Sequence, residues 1–220
     1  MRVSLDFAAL LPYWRVLLDG LIFTVVLTAV STVAGVALGT ACAWARTFGP
    51  AALGAAARGY IELIRNTPFI VQLFFIFFGL PALGVKLDET TAAFLAMLIN
   101  LGAYSAEIIR AGIEAVPKGH IEAGECLAMS RFQVFRKVVL MQAFQKVYPA
   151  LCSQIIIVML GSAVVSQISA QDLTYAANFI QSRNFRAFEV YVVAAALYLL
   201  LAILARFVLG RIGRLVFPRH

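Results

Sequence analysis

Charged residues divide the chain into five long uncharged runs, at 20–45, 66–85, 90–106, 147–171 and 190–205. A helix needs roughly 20 apolar residues to cross a bilayer, with about 17 to 25 the usual range. The third and fifth runs are short and extend into Glu107 and Arg206, whose long side chains can snorkel to the interface or face protein. The pattern therefore predicts spans at about 17–45, 61–82, 89–112, 146–170 and 188–210, with one long polar connection at about 113–145. Backbone polar groups must be paired within hydrocarbon, which leaves helices or a closed barrel. Barrel strands alternate strictly over about 9 to 11 residues. Leu73 to Phe78 and Ile155 to Leu160 are continuously apolar instead, so the fold class expected is an all-α membrane bundle of five transmembrane helices.

Composition agrees: 62% of the 220 residues are hydrophobic and 13% charged. No Ser/Pro/Gly-rich linker and no internal repeat divides the chain, so residues 1–220 are expected to form one transmembrane domain. The net charge of +7 would suit a nucleic-acid binder, but the Lys and Arg residues lie in short clusters between the runs rather than on one water-exposed face. With five spans, thirteen of them fall on one side, from Arg46, Arg58 and Arg65 to Arg211, Arg214 and Arg219. The other side receives only Arg2, Arg15, Lys86, Arg183 and Arg186. Positive flanks stay in the cytoplasm, which predicts an external N-terminus and a cytoplasmic C-terminus. Asp6, Pro12 and Arg15 interrupt any signal-peptide core, so no cleavage is expected before the first span. Cys42, Cys126 and Cys152 with His120 and His220 give neither a disulfide framework nor a metal site.

Ser31, Gly35, Gly39 and Ala43 stack small residues on one face of the first span. Such a face lets helices approach closely, either inside the subunit or between subunits. In the polar connection Pro117 suits the first turn of a helix, and Glu122, Ala123, Gly124, Glu125 and Ala128 follow before a basic patch of Arg131, Arg136 and Lys137. This describes a short exposed helix fit to dock in a partner's groove.

Three ordered motifs accompany it. They are the stretch from Ile121 to Ser130, Glu62-Leu63-Ile64-Arg65-Asn66-Thr67-Pro68 leading into Gln72, and Tyr104-Ser105-Ala106-Glu107-Ile108-Ile109-Arg110 leading into Val116-Pro117-Lys118-Gly119. On these the chain resembles the membrane subunits of ATP-binding cassette importers for polar amino acids. The resemblance implies a type I importer fold in which the loop helix seats in a separate ATPase and transmits its closure. It makes Glu122, Ala123, Gly124, Ala128 and Ser130 coupling residues. It also implies a second permease chain, like or unlike, two ATPase subunits holding ATP and Mg, and an extracytoplasmic solute-binding protein. The chain departs from that family at Ala128, where glycine is usual, and at Leu140-Met141, where Leu-Pro is usual; the lost proline predicts a more regular helix there.

Polar residues within spans mark a candidate substrate path, since each needs a partner where water is scarce. Gln154, Ser162, Ser166 and Ser169 fall near one face of the fourth span, and Asn100, Tyr104 and Glu107 share a face of the third. Gln72 sits near the start of the second span beside Pro68, where a kink or a gate is expected. Members of the resembled family that bind cationic amino acids often carry an acidic residue where Gln154 stands, and a Lys-Asp-Thr-Ser-like stretch in place of Leu160-Gly161-Ser162-Ala163. A site here would be neutral and suit zwitterionic or uncharged groups. The same polar groups could equally serve as glue between helices.

The chain has no G-x-x-x-x-G-K-[ST] phosphate loop, no G-x-S-x-G and no H-E-x-x-H. No enzyme is expected, and energy must come from a partner. The competing reading is an independent carrier or channel driven by an ion gradient, which would predict inverted repeats or mid-span charges.

Overall fold

The computed structural model describes residues 5–217. Helix α1, Phe7–Thr47, opens as a tight 3-10 turn that Asp6 caps by accepting from the Ala8 N–H at 3.1 Å. Its small residues Gly20, Thr24, Ser31, Gly35, Gly39 and Ala43 are buried; Gly35 and Gly39 lie against α4, Glu89–Glu114, while Gly20 and Thr24 face the segment that begins at Asp172. A side chain at Gly39 would meet Ser105, Ala106 and the Gly102 carbonyl, so the two backbones touch where neither carries bulk. The small-residue stripe is thus used in packing within the subunit.

Between them lie α2, Ala51–Arg65, and α3, Phe69–Ala82, bent by 109° at a short break. Pro68 lacks an N–H and disfavours helical backbone at Thr67, so the helix must stop. Asn66 Nδ2 and Thr67 Oγ1 donate to the last carbonyls of α2, Glu62 and Leu63, at 2.8 and 2.9 Å. The second predicted span, 61–82, therefore straddles a break rather than one straight helix. Helix α2 was not legible as part of an uncharged run because Arg58, Glu62 and Arg65, spaced four and three positions apart, give it a charged face.

Asp88 starts α4 by accepting from the N–H groups of Thr90 and Thr91, both at 3.1 Å. A bond from the Thr91 hydroxyl, with these backbone bonds, holds its carboxyl below the usual aspartate range. After the short α5, Lys118–Cys126, comes α6, Arg131–Ile168, which begins well inside the connection predicted at 113–145. Helix α6 is α-helical from Leu140, but the turn before it, Phe135–Val139, is a wide π turn. Leu140 and Met141, where the proline is missing, lie in the regular part, and the irregular turn ends just before them. Helix α6 also contains Pro149 and ends in a 3-10 turn, Ser162–Ile168. The chain closes with α7, Leu173–Asn184, which the uncharged-run pattern passes over, and α8, Ala187–Val216.

Among the described residues four helices, α1, α4, α6 and α8, are long and apolar enough to cross a membrane, and the bent pair, counted as one span, makes five. Three apolar clusters run along the bundle: Leu73, Met97, Leu101 and Val165 in the middle, Ile109, Ile113, Val134 and Val139 towards the α5 loop, and Leu17, Leu173, Ile180 and Val190 at the far end. Helix α4 is the most enclosed span, while α8 is mostly exposed and touches chiefly α6 and α7.

Candidate functional site

The α5 loop is built by caps at both ends. Pro117 precedes the first turn, and the C-terminus closes with Met129 N–H donating to the Gly124 carbonyl at 3.2 Å and Ala128 N–H to Glu125 at 2.9 Å. This is the Schellman arrangement, which requires a left-handed residue between helix and exit. Ala128 supplies it with φ 56°. The substitution of glycine by alanine has left the turn intact. Ser130 then opens α6 through a reciprocal capping box with Gln133: the Gln133 N–H donates to Ser130 Oγ at 3.3 Å, and the Ser130 N–H donates to Gln133 Oε1 at 2.8 Å.

Gly124 faces inward, where Val134 would lie 3.1 Å from any added Cβ. Glu122, Ala123, Glu125 and Ala128 are exposed, and so is Leu127 at 77%. His120 Nδ1 lies 2.8 Å from Gln142 Oε1, and the Lys146 ammonium donates to the Ala115 carbonyl, fastening the first turn of α5 and the turn before it to α6. The loop is therefore a supported platform with an outward acidic and apolar face.

A second feature lies deeper. A cleft of about 450 Å³ is lined by Thr67, Pro68 and Phe69 at the α2–α3 break, Asn100 and Tyr104 of α4, and Gln154, Ile157, Val158 and Gly161 of α6. Three of the sequence candidates, Asn100, Tyr104 and Gln154, thus converge from two helices. All the lining side chains are neutral. Gln72 adjoins this cleft without lining it: its Oε1 accepts from Asn100 Nδ2 at 3.0 Å. Its Nε2 donates to the Ile64 carbonyl at 2.7 Å, to the Thr67 carbonyl at 3.0 Å and to Thr67 Oγ1 at 2.8 Å. One buried amide therefore ties the broken ends of α2 and α3 to each other and to α4.

The remaining candidates lie elsewhere. Ser162 and Ser166 donate to carbonyls one turn back, Met159 at 2.7 Å and Ala163 at 2.8 Å, and thereby support the 3-10 end of α6. Ser169 is exposed and left-handed, with φ 65°. Glu107 accepts from Arg46 Nη1 at 2.6 Å and from Arg110, which also pairs with Glu114. It borders a separate polar cleft of about 280 Å³ with Arg46, Glu62, Arg65 and Asn66. Tyr104 belongs to both clefts, and the Arg65 guanidinium stands 5.5 Å over its ring.

Sequence reasoning passed over Asp172. It is fully buried, caps α7 by accepting from the Tyr175 N–H at 2.8 Å, and accepts from the Tyr198 hydroxyl at 3.0 Å. The Leu173 N–H beside it donates to Thr24 Oγ1 at 3.1 Å, so α1, α7 and α8 meet here. Burial raises its carboxyl above the ordinary value. An Asp, a preferred N-cap residue, at the end of the uncharged run 147–171 was the available signal.

A bundle of membrane-crossing helices with a supported loop helix, a neutral polar cleft and no phosphate-binding loop defines the membrane component of a transport system. Residues 31–218 match the family described as binding-protein-dependent transport system inner membrane component, and the chain belongs to that family. It is similar to the glutamine transport system permease protein of Escherichia coli, 34% identical over 214 residues that cover 96% of this chain and 98% of the relative. It is 36% identical to the L-cystine transport system permease protein of Bacillus subtilis over 87% of this chain and 82% of that one. The crystal structure of an amino acid ABC transporter with histidines superposes with a TM-score of 0.86 at 37% identity, over 96% of this chain and 99% of that chain. The chain is thus a multi-pass inner-membrane permease component of an ABC transporter and not itself an ATPase. Its system works with an ATPase and a binding protein.

Proposed function

We propose that this permease imports a polar, zwitterionic amino acid, and that the cleft between Thr67–Phe69, Asn100, Tyr104 and Gln154 is a stage of the path. The observation that carries this reading is the convergence of neutral hydrogen-bonding groups from α4 and α6 on one cleft of about 450 Å³ beside a helix break. An amide pair and a phenol can serve an ammonium and a carboxylate at once without leaving a fixed charge unpaired when the site is empty. The names of the similar proteins, which carry glutamine, cystine or amino acids, support the same class.

In this reading residues 1–220 are one transmembrane domain with the N-terminus outside and the C-terminus in the cytoplasm, the side that receives most Lys and Arg residues. Two permease chains enclose the path and two ATPase subunits, holding ATP and Mg, bind the α5 platform through Glu122, Ala123 and the turn at Ala128. A solute-binding protein delivers cargo to the opposite face.

The test is Gln154→Glu, assayed by competition against uptake of a neutral amino acid in proteoliposomes that contain the assembled transporter. A carboxylate in the cleft should move preference towards cationic amino acids roughly tenfold, the worth of one charge-assisted hydrogen bond. An unchanged competition profile would remove Gln154 from the path.

A further inference from the structure

A groove of about 960 Å³ lies between α6 and α8 and belongs to neither the cleft nor the loop platform. Its apolar wall includes Tyr148, Cys152 and Ile156, and its other wall presents Arg206, Gly210 and Arg214. Both arginines are exposed, and Arg206 stands within a membrane-crossing helix. Neither wall supplies a counter-ion. Helix α6 has no Asp or Glu along its length, and the lone carboxylate of α8 is Glu189 at the opposite end, already paired with Arg186.

A guanidinium inside a span without a carboxylate needs an anion or a route to water. The two arginines are eight positions apart, about 12 Å along the helix axis, and they border the same groove. Gly210 keeps the groove open between them, since a side chain there would meet no atom within 4 Å. The neighbouring Arg211 does not line the groove; its guanidinium stands 4.7 Å over the ring of Phe207. Cations are thus sorted by direction, two into the groove and one away from it.

We propose that this groove holds one anionic phospholipid, with its phosphodiester held by Arg206 and Arg214 and an acyl chain along Tyr148, Cys152 and Ile156. Two cations above an apolar trough between membrane helices match a headgroup and tail, whereas free phosphate would leave the trough without a guest. The proposal does not depend on which solute is carried, because its readout is retained lipid rather than uptake.

The test is native mass spectrometry of the assembled transporter after exchange with vesicles of equal parts phosphatidylglycerol and phosphatidylcholine. Phosphatidylglycerol should remain bound in preference, and each of Arg206→Gln and Arg214→Gln should weaken its retention about fivefold. Gly210→Leu, which occludes the groove without touching a charge, should lose the lipid while the protein still elutes as an assembled complex. Arg211→Gln should retain it. Equal retention of the two lipids, an equal loss with Arg211→Gln, or displacement of the lipid by excess inorganic phosphate would each overturn the proposal.

Discussion

Ala128 holds a backbone conformation that most residues avoid. Its φ of 56° places Cβ against the local carbonyl, which costs an L-residue roughly 1–2 kcal/mol relative to glycine. The Schellman bonds from Met129 and Ala128 hold it there. Ala128→Gly should therefore stabilise the turn by about 1 kcal/mol, read as slower hydrogen exchange across residues 118–134. Gln72 presents the opposite case, a residue whose amide is fully used. Gln72→Met keeps its volume but leaves Asn100, Thr67 and the Ile64 carbonyl short of partners, at a cost of about 1–3 kcal/mol. Lower thermal stability with a raised KM for uptake is the expected result, since the break and the Asn100 amide lose their common tie. Gln72 was singled out in the sequence as a path residue. The structure makes it a brace beside the cleft, a role a hydrogen-bonding inventory cannot show because it does not say which partners the fold will bring within about 3 Å.

At the scale of elements, the contact between α1 and α4 depends on missing side chains. A Cβ at Gly39 would stand 2.7 Å from Ser105 Cβ, 2.8 Å from the Ala106 nitrogen and 2.9 Å from the Gly102 oxygen. Two of these are backbone atoms that cannot step aside. Gly39→Val should lower stability by about 1–3 kcal/mol, visible as a lower unfolding temperature in detergent. The four-residue spacing of small side chains was legible in the sequence, but the choice between an internal and an intersubunit partner was not, because the stripe is equally suited to both. The break before α3 was legible at Pro68, though its angle was not. Proline prohibits a continuous ladder but does not set a direction; the direction comes from Gln72 and from Tyr60, whose hydroxyl donates to the Ile99 carbonyl at 2.6 Å.

For the molecule as a whole, the α5 platform and the neutral cleft are connected through one helix. Helix α6 begins at the Ser130 capping box beside α5 and carries Gln154 into the cleft. A push on the platform therefore acts on one wall of the cleft, with the π turn at Phe135–Val139 and Pro149 as the compliant points between them. Glu122→Lys reverses charge on the exposed face of the platform without altering a buried contact. Uptake and recovery of the ATPase in pull-down should fall at least tenfold, while insertion and thermal stability of the permease remain as before. Normal uptake by this variant would remove Glu122 from the coupling surface.

The amino-acid sequence by itself determined the all-helical membrane class and the position of the exposed loop helix, because apolar run length and helix-forming composition are properties of consecutive residues. Tertiary structure alone decided which polar groups share a cleft. Asn100, Tyr104 and Gln154 meet, whereas Ser162 and Ser166 turn back to their own helix and Glu107 is taken up by two arginines. A helix face specifies a direction in space only once its neighbours are placed, and that placement is set by side-chain packing between segments far apart in the chain.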